Sequence, residues 1–86
     1  MSANNLLTLY SGSDCHLCAQ AQALLYPLLD EQRWRLQIIV IDGDDALVQR
    51  YGTRIPVVVT PDGREKGWPF SIGQVRRLML ESPDAP

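Results

Sequence analysis

Two short runs of strand-forming residues, Leu6 to Tyr10 and Leu36 to Ile41, flank a longer stretch beginning at Cys15. Within that stretch Leu17, Ala21, Leu24, Leu25, Leu28 and Leu29 recur at helical spacing. Strands joined through a helix pair in parallel, and the crossover is right-handed in nearly every known case. This βαβ unit restricts the fold more than any other feature of the chain. Between the first strand and the helix lie the turn formers and N-cap residues Ser11-Gly12-Ser13-Asp14. Pro27 lacks a backbone donor and is expected to kink the helix or divide it about one turn from its end, near Asp30 to Gln32. The second strand, rich in β-branched residues, is expected to be buried on both faces.

Downstream, Asp42 to Asp45 offers caps for a short helix carrying Ala46, Leu47, Val48 and Tyr51, and Gly52 stands where a left-handed C-terminal stop belongs. After Thr53-Arg54-Ile55-Pro56, Val57 to Thr60 reads as a third strand. Pro61-Asp62-Gly63 then turns the chain back through Arg64 to Phe70 as an antiparallel partner. Ser71 and Gln74 form a capping box, Ile72, Val75, Leu78 and Met79 line one face of a last helix, and Ser82-Pro83 ends it. The predicted order is β-α-β-α-β-β-α, an α/β chain with a four-stranded mixed sheet flanked by three helices. At 86 residues the chain supports one core, so a single domain over residues 1–86 is expected.

Eight basic residues against ten acidic ones leave a net charge of −2 and no basic stripe, which argues against nucleic acid as a partner. The longest apolar run, Ile38 to Ile41, is far shorter than the roughly 20 residues a membrane helix needs. Met1 to Asn5 lack the basic flank and apolar core of a signal peptide, so the cytoplasm is the expected compartment and no membrane partner is expected. Two cysteines are too few for a disulfide scaffold. A close pair in such a protein points to redox or metal chemistry.

Cysteines three apart across a helix start share one face, which leaves Cys15 exposed at the N-terminus and Cys18 one turn inward, close enough to close a small disulfide ring. Unpaired N–H groups and the helix dipole favour a thiolate there, and helix-start cysteines in C-x-x-C motifs reach pKa values of roughly 3.5 to 7.5. Cys15 is therefore the expected nucleophile and Cys18 the resolving thiol. Asp14 opposes the thiolate unless its carboxylate turns away to cap the helix. For His16 two readings stand: a protonated ring that favours the thiolate, or a solvent-facing residue with no role.

The strand followed by Cys15-His16-Leu17-Cys18, the segment Tyr51-Gly52-Thr53-Arg54-Ile55-Pro56-Val57 and the closing hairpin and helix together resemble the glutaredoxin-like branch of the thioredoxin superfamily. The match runs from Leu6 to about Glu81. It implies the thioredoxin fold, with a cis Pro56 packed against the cysteines. It also implies that the backbone of Ile55 pairs with an extended substrate. Arg54 beside it either contacts a substrate carboxylate or is a solvated loop residue. Tyr10, Trp68 and Phe70 either wall the substrate groove or belong to the core. The chain departs from typical glutaredoxins in carrying His16-Leu17 between the cysteines and Trp68-Pro69-Phe70-Ser71 where they show a glycine pair and an acidic residue that hold glutathione. Donors at the Ser71 helix start remain available to a carboxylate. Thioredoxin's buried acid, six residues before its nucleophile, is here Leu9.

Three functional classes follow. The first is a monomeric thiol-disulfide oxidoreductase or electron carrier acting on protein or small-molecule disulfides. It would hold no tightly bound cofactor and take electrons from glutathione or a reductase. The second is zinc or iron-sulfur binding through Cys15 and Cys18, which needs a dimer or bound glutathione to complete the ligand set. The third is a non-catalytic interaction domain that docks partners through its edge or aromatic groove.

Overall fold

The protein is described from a computed structural model over residues 5–80. Its elements are β1 (Leu6–Ser11), α1 (His16–Gln32), β2 (Arg35–Val40), α2 (Asp45–Tyr51), β3 (Val57–Val59), β4 (Glu65–Gly67) and α3 (Ile72–Leu80). The strands lie in the order β2-β1-β3-β4. β1 is central, parallel to β2 and antiparallel to β3, and β3 pairs antiparallel with β4. This is the predicted four-stranded mixed sheet with three helices, the thioredoxin-like arrangement.

Alternation along β1 divides the interior into two layers. Leu7 and Leu9 are fully buried and face α1 and α3, where they pack with Ala21, Leu25, Leu28, Val58, Phe70, Val75 and Met79. Each such leucine contributes roughly 1.5–3 kcal/mol by leaving water. Tyr10 points to the opposite face and joins Ile41, Tyr51 and Val57 beneath α2. Consecutive valines in β3 serve both layers, Val58 one and Val57 the other.

Local chemistry sets the element ends. Asp44 caps α2 by accepting from the Leu47 N–H at 3.2 Å. Ser71 and Gln74 close the predicted box at the start of α3, with bonds of 3.0 and 3.1 Å. In the β3–β4 turn, the Thr60 N–H donates to the Arg64 carbonyl at 2.9 Å and the Arg64 N–H donates to the Thr60 hydroxyl at 3.1 Å, around Gly63, whose φ of 89° suits a residue without a Cβ. The Arg64 guanidinium then reaches the Leu78 carbonyl at 2.6 Å, tying the hairpin to the end of α3. The Ser82-Pro83 stop lies outside the described residues.

Four expectations are corrected. First, Pro27 does not divide α1, which continues through it as one helix to Gln32. One lost backbone bond is outweighed because Leu28 and Leu29, just beyond it, are buried in the core and hold the last turn in place. Second, β2 is not buried on both faces: it is an edge strand, and Ile38 and Val40 are 38% and 49% exposed. β2 pairs with β1 along one edge only, and its other edge carries no strand among the described residues. Third, Gly52 is right-handed, with φ −53° and ψ −38°. A Cβ there would stand 2.4 Å from the Val48 carbonyl oxygen, so the glycine provides room for a close approach. Fourth, Leu17 lies off the buried face of α1, 42% exposed.

Candidate functional site

Cys15 is the N-cap of α1, with extended backbone dihedrals of −124° and 102°. Its sulfur accepts from the Cys18 N–H at 3.1 Å. That donor is one of the amides a helix start leaves without an intrahelical partner, and here it points at sulfur. Cys18, one turn on, is 1% exposed, and Cys15 is half-buried. The two sulfurs form a disulfide across Cα atoms 5.2 Å apart. One sulfur is thus at the surface under a helix N-terminus, and its partner is beneath it against the core.

Asp14 does not take the capping position, which Cys15 itself fills, and it faces solvent. His16 and Leu17 are both exposed on the rim between the cysteines. Among the described residues no hydrogen bond joins His16 to either cysteine.

The loop before β3 closes the other side of the site. A Cβ added at Gly12 would stand 2.9 Å from Ile55 Cδ1 and 3.7 Å from Cys15 Cβ, which places Ile55 across Gly12 beside the cysteine turn. Gly12 leaves the space that this approach requires. Pro56 is fully buried, and the Ile55–Pro56 peptide is cis, as is Trp68–Pro69. The Pro56 carbonyl accepts from the Trp68 N–H at 2.9 Å. The N–H of Ile55 donates to the Tyr51 carbonyl at 2.9 Å, so that donor is used within the fold.

Arg54 is engaged within the fold. Its guanidinium donates to Glu65 at 2.8 Å and lies 5.5 Å from the centre of the Tyr51 ring. Glu65 also accepts from Arg50 at 3.1 Å and from the Tyr51 hydroxyl at 3.0 Å. The bond from Arg54 is the largest influence on the Glu65 carboxyl; burial, next in size, opposes it, and the bonds from Tyr51 and Arg50 add to Arg54 so that the carboxyl is held below its ordinary range. Burial in turn pushes the Tyr51 phenol above 10.0, and its bond to Glu65 adds to the rise. Glu65 therefore links the end of α2, the loop before Pro56 and the first residue of β4. Sequence reasoning missed it, because a lone glutamate after a turn carries no signal until the β3–β4 register opposes it to Val59.

A second missed contact lies on the near side of the site. Asp42, a candidate α2 cap in the sequence, instead accepts from the backbone N–H of Ser13 at 3.3 Å and from its hydroxyl. The three candidate aromatic walls are structural. Phe70 is buried with Trp68 edge-on at 5.0 Å, and Tyr10 stacks on Tyr51 with centroids 4.3 Å apart. Leu9, in the position of thioredoxin's acid, is fully buried and apolar. Among the described residues there is no cluster of three or more metal-ligating side chains, and no helix is long and apolar enough to cross a membrane.

Residues 6–80 match the model of a family described as Glutaredoxin-like domain (DUF836). The chain belongs to this glutaredoxin-like family. Among solved structures it is similar to XcR50 of X. campestris, whose X-ray structure is 40% identical with a TM-score of 0.79, covering 90% of this chain and 99% of that one. The solution structure of XcR50 superposes with a TM-score of 0.75 at the same 40% identity, over 92% of this chain and 97% of that one. Ne2328 of Nitrosomonas europaea is 25% identical over 91% of this chain and 94% of its own, with a TM-score of 0.77. No protein of curated function matches. A glutaredoxin-like domain whose two cysteines stand at disulfide distance on a helix start supports a thiol redox role.

Proposed function

We propose that the protein is a thiol-disulfide oxidoreductase in which Cys15 is the nucleophile and Cys18 the resolving thiol. The observation that carries this reading is the asymmetry of the pair, a half-exposed cap sulfur receiving an amide N–H at 3.1 Å above a partner that is 1% exposed. In the dithiol form the Cys15 thiolate attacks one sulfur of a substrate disulfide and releases the other half as a thiolate, which takes up a proton. Cys18, deprotonated, then attacks the Cys15 sulfur of the mixed disulfide. The second substrate thiol leaves, and two electrons have passed to the substrate. A dithiol reductase, or two glutathione molecules converted to their disulfide, returns the protein to its starting form.

Substrate backbone aligns with the carbonyl of Ile55, and Pro56 supports that edge next to the cysteines. His16, exposed on the rim, and Arg54, if released from Glu65, supply positive charge toward an acidic substrate group. The protein works as a monomer on protein or small-molecule disulfides, holds no cofactor tightly, and suits a reducing compartment such as the cytoplasm.

The test is alkylation of the reduced protein with iodoacetamide, followed by reduction of a mixed glutathione disulfide by wild type, Cys15→Ser and Cys18→Ser. Cys15 is expected to react faster than free cysteine at neutral pH. Cys15→Ser should abolish turnover, and Cys18→Ser should trap a mixed disulfide with substrate. A Cys15 no faster than free cysteine, together with a wild type lacking turnover, would falsify the assignment.

A further inference from the structure

The Ser11–Asp14 turn is held from the opposite side of the sheet edge by the loop that follows β2. Asp42 Oδ1 accepts from the Ser13 N–H at 3.3 Å, and the Ser13 hydroxyl donates to its other oxygen. From the point where a Gly12 Cβ would stand, Asp42 Oδ1 is 3.6 Å away and Cys15 Cβ 3.7 Å. Carboxylate and cysteine thus lie within a Debye length of each other, about 8 Å at physiological ionic strength. We propose that Asp42, anchored by Ser13, is a fixed negative charge that opposes the Cys15 thiolate and biases the Cys15–Cys18 pair toward the disulfide.

The Ser13 hydroxyl and N–H, in that order, hold the Asp42 carboxyl below 3.8, so it is ionised at neutral pH. It therefore stays charged across the whole range in which the thiols titrate. Its influence is that of a constant charge, and the two bonds from Ser13 fix its position at the surface. Asp14 and His16 flank Cys15 on its own segment, and Arg54 on the loop before Pro56 has its guanidinium committed to Glu65. Nothing on the described elements neutralises Asp42 from the cysteine side. A stabilised thiolate makes a dithiol pair a stronger oxidant, so a charge that destabilises it has the reverse effect. The helix start and Asp42 thus act in opposition on one sulfur, and the balance sets where the pair rests against glutathione.

The inference rests on the oxidoreductase reading, and its test separates the two. The reduced protein is alkylated with iodoacetamide across pH, with Cys15 followed by mass spectrometry, in wild type, Asp42→Asn and Ser13→Ala. Each protein is also equilibrated at pH 8 with glutathione and its disulfide, where dithiol plus oxidised glutathione exchanges with protein disulfide plus two glutathione thiols. Coulomb's law across this distance in a largely aqueous medium gives about a threefold effect. Asp42→Asn should raise the Cys15 ionisation constant by about that factor and shift the exchange toward the dithiol by a similar one. Ser13→Ala keeps the charge and should move both quantities less. In 1 M salt, where the Debye length falls to about 3 Å, the difference between wild type and Asp42→Asn should shrink, which a purely structural role would not produce. An Asp42→Asn variant that folds and matches wild type in both readouts overturns the proposal, as does a difference that 1 M salt leaves intact. A wild type that lacks turnover and whose Cys15 reacts like free cysteine would instead sink the oxidoreductase reading, since the ionisation comparison stands without it.

Discussion

Glu65 accepts three hydrogen bonds from three different side chains while only 19% of its own side chain is exposed. Its two arginine partners are 66% and 45% exposed, so those ion pairs are screened and contribute little each. The Tyr51 hydroxyl is different, because the residue is 4% exposed and loses its acceptor if Glu65 is truncated. Glu65→Ala is therefore expected to destabilise the protein by about 1–3 kcal/mol, the cost of an unpaired buried polar group. Glu65→Gln retains an acceptor oxygen and should cost less than half as much. Urea unfolding of the two variants checks this, and equal losses would place the effect in the ion pairs. Because the same carboxylate holds Arg54 next to Ile55, the alanine variant should also loosen the loop that faces Cys15.

The elements show which features were readable in advance. The capping box at Ser71, the Pro61-Asp62-Gly63 turn and the cysteines at the start of α1 are local, each decided by chemistry within a few residues, and all stand where the sequence places them. The edge status of β2 is not local. It depends on β3 choosing the other side of β1, which no property of Leu36 to Ile41 records. Gly52 misleads for a related reason, since closeness to the Val48 carbonyl and a left-handed turn both call for a missing Cβ. Ser13 and Asp42 are 29 residues apart, and only the parallel register of β1 and β2 brings them together. Pro27 is the local rule that the tertiary structure overrides. It is solvent-exposed, within a helix whose next turn is anchored by Leu28 and Leu29. Pro27→Ala restores a backbone donor and should stabilise the fold by at most about 3 kcal/mol, less the entropy that proline removes from the unfolded chain. Thermal unfolding would show a raised midpoint. A lowered one would mean that a bend at Pro27 is needed to seat the last turn.

At the scale of the molecule, three carboxylates fasten connections that the apolar core leaves open. Asp42 ties the β1–α1 turn to the loop after β2, Glu65 ties α2 and the loop before β3 to β4, and Asp62 braces the β3–β4 turn through Thr60 and Arg64. All three titrate below their ordinary values of 3.8, 4.5 and 3.8. The main causes are the bonds from Ser13 to Asp42, from Arg54 to Glu65 and from Thr60 to Asp62. A carboxylate whose folded pKa is depressed adds stability above its unfolded pKa and loses it as pH falls through the folded value. Stability should accordingly be level near neutrality and decline from about pH 5 downward, with Glu65 acting first because its ordinary value is the highest. Asp42 is exposed, so water and salt weaken its share, whereas the Asp62 and Glu65 side chains are only 20% and 19% exposed, and Glu65 has Tyr51 and two arginines around it. Urea midpoints measured from about pH 7 down to about pH 3 should therefore fall more gently in Glu65→Gln than in wild type. If the two proteins lose stability in parallel across that window, acid sensitivity belongs to carboxylates other than Glu65, and its junction of α2, β4 and the Pro56 loop holds by packing alone.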